Sequence, residues 1–322
     1  MCTGPDLRSE PVTFYVKVVG VGQTGGMGTP QPGIFAQGTR SHRHLEFVLH
    51  ADRAPSAVLA ALAPLRQPSV AAGGVNIVIG FSPALWRELA PTAAPAHLSE
   101  FPDLDGVPST EHDLWVWLHG SGDDDLFDVA RTVAAHLRPV ASVASEVAGF
   151  VYHDSRDLTG FVDGTENPSV EEAFGVVVVP AGQPGAGGTF AITQRWVHDL
   201  DRFHLLPVTE QEGIIGRTKA DDRELDDHLK PPTAHISRVV LHDAEGDEIE
   251  IYRRSVPYGT VNEHGLVFVA FSADPQRFTA MLERMFGVSG DGLRDRLTEF
   301  TQPVTGAYWF VPSLEALGDA LG

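Results

Sequence analysis

Leu114-Trp115-Val116-Trp117-Leu118-His119, followed by Gly120-Ser121-Gly122 and then Asp123-Asp124-Asp125, decides how this chain is read. The first six residues are an apolar run of strand length, rich in aromatic side chains. Ser121 and three aspartates then lead into a helix over 125–137, where acidic residues at the start suit the helix dipole. Leu126, Val129, Ala130, Val133 and Leu137 fall on one face of that helix. The same grammar recurs in the second half. Leu266–Phe271 reads as a strand, and Ser272-Ala273-Asp274-Pro275 caps and starts a helix. Its apolar face is Phe278, Met281, Leu282, Met285 and Phe286, predicted to be core. Further β segments precede each pair: 44–50 and 76–81 in the first half, and 189–194, 236–241 and 248–256 in the second. Residues 55–65, and a short stretch from Leu85 to Leu89, suit helices. The pattern predicts an α+β protein made of two copies of one unit, and the ferredoxin-like split βαβ arrangement fits it. The junction is expected near 140–155, which gives units 1–150 and 151–322.

Composition narrows the function classes. The 322 residues are 43% hydrophobic and 20% charged, as in a globular chain. There is no apolar run of membrane-spanning length. Residues Met1–Glu10 are polar, without a secretory apolar region or a twin-arginine pair. A net charge of −20 argues against a nucleic-acid partner, which wants clustered Lys and Arg. The single cysteine, Cys2, excludes a disulfide within the chain and suits a reducing cytoplasm.

Several motif matches fail on context. Residues 12–19 read as a strand, and Gly20–Gly25 after it matches a dinucleotide fingerprint. The glycines and prolines that follow, through Gly33, forbid the helix such a fingerprint needs. Gly182–Gly188 lacks the Gly-Lys-Ser/Thr of a phosphate loop. His198 and His204, with Asp199 and Asp201, could hold a metal, but their spacing matches no standard site and helix caps look alike.

Four stretches carry chemistry. Gly160-Phe161-Val162-Asp163-Gly164-Thr165-Glu166-Asn167-Pro168 sets one carboxylate between glycines in an apolar run; it is a buried functional Asp or a solvated turn. Gly213-Ile214-Ile215-Gly216-Arg217-Thr218-Lys219 brings two cations after a turn, and an Arg fork suits a carboxylate. Lys230-Pro231-Pro232-Thr233-Ala234-His235 stiffens the chain before a histidine, with a strand expected from Ile236 to Leu241. His242 at its far end is expected in solvent. In Glu248–Gly259, alternation places Ile249, Ile251, Arg253 and Ser255 on one face, an odd end for a core face but sensible for a pocket wall.

Together these strings resemble the dye-decolourising peroxidases, haem enzymes with a Gly-x-x-Asp-Gly loop. The likeness covers most of 150–312 and is closest to the short bacterial cytoplasmic, B-type-like branch. It implies two ferredoxin-like units forming a barrel-like α+β fold, with one non-covalent haem b in the C-terminal unit. It implies His235 as iron ligand, and Asp163, Arg253 and Ser255 as catalytic residues on the peroxide side. Arg217 is implied at a haem propionate, with Gly164, Glu166 and Asn167 of the motif loop against the cofactor. Asp295, in Gly292–Phe300, is implied as acceptor of the histidine's second N–H. The implied activity reduces hydrogen peroxide through an oxo-ferryl intermediate and oxidises dyes, phenolics or other small one-electron donors. Trp196, Tyr252 and Trp309 are candidate charge relays. A homo-oligomer without membrane or nucleic-acid partner is expected. A non-catalytic haem carrier and a hydrolase built on His198 and His204 are the other classes.

Overall fold

The computed structural model describes residues 28–65 and 74–321; the strand expected at 12–19 and the glycine loop after it lie outside them. The first unit runs β1 (Ser41–Leu49), α1 (Pro55–Leu62), β2 (Asn76–Phe81), α2 (Pro83–Leu89), β3 (Leu114–Gly120), α3 (Asp123–Leu137) and β4 (Ala141–Phe150). Its strands lie side by side in the order β4-β1-β3-β2, all antiparallel. The second unit begins with α4 (Val170–Val177), β5 (Thr189–His198), α5 (Leu200–His204), α6 (Val208–Ile215) and α7 (His235–Val239). It ends with β6 (Tyr252–Arg253), β7 (Val256–Gly259), β8 (His264–Ser272), α8 (Gln276–Met285), β9 (Thr301–Pro303), β10 (Ala307–Val311) and α9 (Leu314–Leu321). Here the matching order is β7-β8-β5-β10. Both units thus follow the fourth-first-third-second order of a split βαβ fold, as the repeated strand–cap–helix grammar predicts.

The two sheets meet at both edges. β2 pairs with β10 through Phe81 and Phe310, and β4 with β7 through Gly149 and Tyr258. With β5 and β8 paired from Phe190–Ser272 to Val197–Gly265, the eight strands close into a barrel. Alternation then sorts the side chains. On β3, Leu114, Val116 and Leu118 join the helix-covered outer core, while Trp115 and Trp117 join Val269, Phe271 and Trp309 inside the barrel. Gly80 lets Trp115 and Trp309 close over it: a Cβ there would lie 2.9 Å from the Trp115 ring.

Two segments differ from expectation. Residues 236–241 do not form a strand; 235–239 are helix α7. Their β-branched sequence is overruled by tertiary contacts. Arg238 is fully buried, donates to the Arg284 carbonyl at the end of α8 at 3.0 and 3.1 Å, and forks onto Asp291 at 2.8 and 3.0 Å. Only a helical turn brings it there. In 248–256 only β6 and the start of β7 are strand, with an isolated bridge from Glu248 to His242. Strand β4 pairs with β1 along its length.

Candidate active site

The glycine-bracketed loop is built by backbone hydrogen bonds before any function is assigned. Asp163 N–H donates to Ser155 O at 3.0 Å, and Asp157 N–H to Phe161 O at 2.9 Å. Arg156 ties the loop to its neighbour, donating from one nitrogen to Gly160 O and Lys219 O, both at 2.9 Å. Gly160 and Gly164 have φ of +90° and +87°, where a side chain would be strained. The Asp163 carboxyl is thereby held inside. Burial pushes its pKa up, and the nearby Arg253 charge only partly offsets that.

His235 opens α7 immediately after the Pro231-Pro232 turn. Its Nδ1 lies 2.6 Å from Oδ2 of Asp295, which is completely buried. Asp295 Oδ1 in turn accepts from Leu297 N–H at 2.8 Å, so both carboxylate oxygens are used. Backbone bonds from Asp295 N–H to Met285 O and from Arg296 N–H to Thr233 O sew the two segments together. Gly216, with φ of +97°, lets the end of α6 press on α7; a Cβ there would sit 2.5 Å from Ile236. With Nδ1 oriented in this way, the second ring nitrogen is left for another partner, the arrangement found in metal-binding histidines.

His235, Asp163 and Arg253 line one cavity of about 210 Å³. Most of its wall is apolar, including Trp196, Phe268 and the α8 side chains Phe278, Met281 and Met285. The sequence marks that α8 face as core, and Phe278, Leu282, Met285 and Phe286 do pack in the outer core; Phe278, Met281, Leu282 and Met285 also wall the cavity. Asp163 and Arg253 also line a second cavity of about 410 Å³, shared with Thr39, Arg40, His42, Ser155, Gly164 and Ser255. The Arg253 guanidinium has no hydrogen-bond partner among the described residues. Its backbone is fixed instead: Asn167 Oδ1 accepts from Arg253 N–H at 2.7 Å, and Asn167 Nδ2 donates to Arg253 O at 2.9 Å.

Three of the predicted site residues have partners within the protein. Asn167 lines the second cavity but spends its amide on the Arg253 backbone, because that short strand end has no other ladder partner on this side. Arg217 lines neither cavity; its guanidinium is taken by Glu166, which does line the first, and by the Asp222 carbonyl at 2.7 Å. Ser255 lines the second cavity, yet its Oγ accepts from Val269 N–H at 3.2 Å, stitching the strand to β8.

Other candidates separate. His242 is exposed, as expected. His198 sits on the cavity wall with Nε2 at 3.0 Å from Asp157 and Nδ1 at 2.6 Å from Thr301, while His204 is exposed at the end of α5. Burial pushes the Asp157 carboxyl up, but hydrogen bonds from His198 and Thr159 outweigh it and the net shift is downward. The His198–Asp157 pair and the Asn167 latch were not read from the sequence; their partners lie 41 and 86 residues apart. Trp196, Tyr252 and Trp309 are all buried.

Comparison with known proteins gives the family. The model described as "Dyp-type peroxidase, N-terminal" matches residues 42–151, and "Dyp-type peroxidase, C-terminal" matches 154–316. A curated dye-decolorizing peroxidase of Rhodococcus erythropolis is 40% identical over 257 residues, 78% of this chain and 75% of its own. The solved structure of DyPB from Rhodococcus jostii RHA1 superposes with a TM-score of 0.84 at 32% identity, covering 90% of this chain and 97% of that one. A variant of that protein solved in complex with heme gives a TM-score of 0.82 at 32% identity, over 88% and 96%. The chain belongs to the Dyp-type peroxidase family.

Proposed function

We propose that this protein is a haem-dependent peroxidase that reduces hydrogen peroxide and oxidises dyes, phenolics or other small one-electron donors. One observation carries the reading: a histidine oriented by a buried carboxylate shares a largely apolar cavity with a half-buried aspartate and an arginine whose guanidinium is unpaired among the described residues. The residues present fit a haem. His235 would hold the iron through its free ring nitrogen, the apolar wall would take the macrocycle, and Arg217 would turn from Glu166 to a propionate. Bound haem supplies the iron at which peroxide is cleaved and through which electrons are later drawn from a reductant.

This chain's residues do the rest. Asp295 keeps the His235 ring in one tautomer and makes it a stronger donor. Asp163, when ionised, takes the proton of the incoming peroxide at its carboxylate. Arg253 places a fixed positive charge where negative charge develops as the O–O bond breaks. Asn167 holds the Arg253 backbone in place, and Ser255 holds the strand that carries it. The second cavity supplies a polar approach to Asp163 and Arg253 for a molecule as small as peroxide. A non-catalytic haem carrier accounts for His235 but gives Arg253 and Asp163 no task.

The same reading extends to organisation. Two units, 1–150 and 151–322, with haem in the second, are supported by the repeated strand order. A cytoplasmic location is supported by the lone Cys2. No helix among the described residues is long and apolar enough to cross a membrane. A homo-oligomer is supported by exposed Val48, Val143 and Phe150 on β1 and β4. The test is an absorption spectrum of purified protein supplied with haem. The Soret band should be lost or strongly altered in His235→Ala and unchanged in His242→Ala, and peroxide should change the wild-type spectrum rapidly. An unaltered band in His235→Ala overturns the assignment.

A further inference from the structure

The barrel interior holds a group of side chains that the peroxide chemistry above does not use. Trp115, Trp117 and Trp309 stack there with His42, His44 and His119. Trp117 is 4.0 Å from His119 and 6.2 Å from Trp115, centroid to centroid, and Trp115 is 6.1 Å from Trp309. All six are buried, and both nitrogens of His44 lack a partner among the described residues. Burying imidazoles without partners is costly, so a core that served packing alone would favour apolar residues here.

The indoles differ in what their N–H groups meet. Trp115 Nε1 has no partner among the described residues, and Trp309 Nε1 donates to the hydroxyl of Thr193 at 2.8 Å. Trp117 Nε1 donates to His42 Nδ1 at 3.2 Å, so this N–H faces a base. Burial and the Arg254 charge hold the His42 pKa down at about 3, so near neutral pH it is unprotonated. The Arg254 guanidinium, pinned by the carbonyls of Ile34 and Ala36, lies 5.4 Å from the centre of the Trp117 ring. A fixed cation over the ring opposes a second positive charge there. An electron that leaves Trp117 while the proton passes along the hydrogen bond to His42 keeps the ring itself neutral, against the resistance of burial and Arg254 to a protonated His42. His42 also lines the second cavity beside Asp163 and Arg253, and Arg254 directly follows Arg253.

We propose that Trp117 is an internal one-electron donor of this protein, its indole proton passing to His42 Nδ1 as the electron leaves. The electron goes to the peroxide-oxidised haem site, so this inference rests on the haem-peroxidase reading. The Nε1–H bond breaks, His42 gains the proton, and a neutral indolyl radical remains. A phenolic or other one-electron donor later returns an electron, and His42 returns the proton. The barrel interior so stores one oxidising equivalent away from the haem cavity when no reductant is bound.

The test uses two oxidations of the full chain. Haem-loaded protein is mixed with hydrogen peroxide without reductant, frozen, and its radical read by electron paramagnetic resonance with ring-deuterated tryptophan. Separately, flash-generated tris(bipyridine)ruthenium(III) oxidises the protein with no need of haem, and transient absorption distinguishes neutral from cationic indole radicals. A neutral tryptophan radical is expected in the wild type under both. It should be lost in Trp117→Phe and kept in Trp115→Phe. His42→Leu, which leaves the indole in place, should lose the neutral form. No peroxide-driven radical, but a light-driven one that depends on Trp117 and His42, would overturn the haem reading while supporting the donor pair. A neutral radical unchanged in Trp117→Phe and His42→Leu, or none under either oxidation, overturns this inference.

Discussion

Asp295→Asn separates the orienting role of the buried carboxylate from simple packing. Both Asp295 oxygens accept: Oδ2 faces His235 Nδ1 at 2.6 Å and Oδ1 takes the Leu297 N–H at 2.8 Å. Asparagine has the same shape but one acceptor and no charge. Suppose its oxygen stays with His235. A charge-assisted hydrogen bond worth about 1.5–3 kcal/mol then becomes a neutral one worth about 0.5–1.5, a loss of about 1–1.5 kcal/mol. The carboxylate favours the more positive, ferric state of a histidine-bound iron. The Fe(III)/Fe(II) midpoint should therefore rise, and at 59 mV per tenfold for one electron the rise is about 40–65 mV. The amide then points its N–H₂ at Leu297 N–H, leaving a buried donor unsatisfied. Thermal unfolding should show a further stability loss of about 1–3 kcal/mol. Spectroelectrochemical titration of the haem-loaded variant, with its Soret band intact, reads the first effect. A midpoint that is unchanged or lower would refute the reasoning, because it would mean that the Asp295 charge is not felt at the iron.

Arg253→Leu should slow the peroxide-driven spectral change about 10²–10³-fold, and more than Asp163→Ala does, since water replaces a proton carrier more readily than a fixed charge; stopped-flow mixing decides, and the opposite order makes the carboxylate the main catalyst. Burial raises the Asp163 pKa, so its contribution to stability is full below the ordinary carboxyl value and is lost as pH rises through the raised one. Denaturant titrations across that window should show Asp163→Asn gaining on the wild type as pH rises, and a constant difference would contradict the shift. Asn167→Ala removes both bonds to the Arg253 backbone and should cost about 1–3 kcal/mol, with slower peroxide reaction but unchanged haem content. Gly216→Ala meets a φ of +97° and Ile236 at 2.5 Å; it should cost about 1–3 kcal/mol and shift the Soret band by moving α7, and a neutral outcome in calorimetry would mean that α6 yields easily.

What the sequence discloses depends on how local its cause is. The β3–α3 and β8–α8 pairs are legible because alternation, caps and a helical stripe all lie within one window. Asp163, His235 and Arg253 stand out because glycines, a di-proline turn and a charged end to an apolar face are local oddities. The helix at His235 is not legible, since Ile236–Leu241 is β-branched and apolar while the forces bending it come from Arg284 and Asp291, tens of residues away. The α8 face reads as core and is core; that it also walls the cavity is not legible, because a cavity wall and a core share one composition. The barrel histidines are silent for a related reason: His42 and His44 alternate as any strand residues do, and only closure of the sheet puts both inside.

That closure rests on two thin seams, Phe81–Phe310 and Gly149–Tyr258, each a single residue pair. Every other strand pairing lies within one of the two units. Each unit alone would leave two strands with unpaired amide and carbonyl rows, the form of β-structure most prone to pairing with foreign chains. Each unit therefore acts as the aggregation guard of the other. A chain released with only one unit complete carries two such rows until its counterpart is made, so synthesis from Ala141 to Val311 is the interval in which it most needs a chaperone.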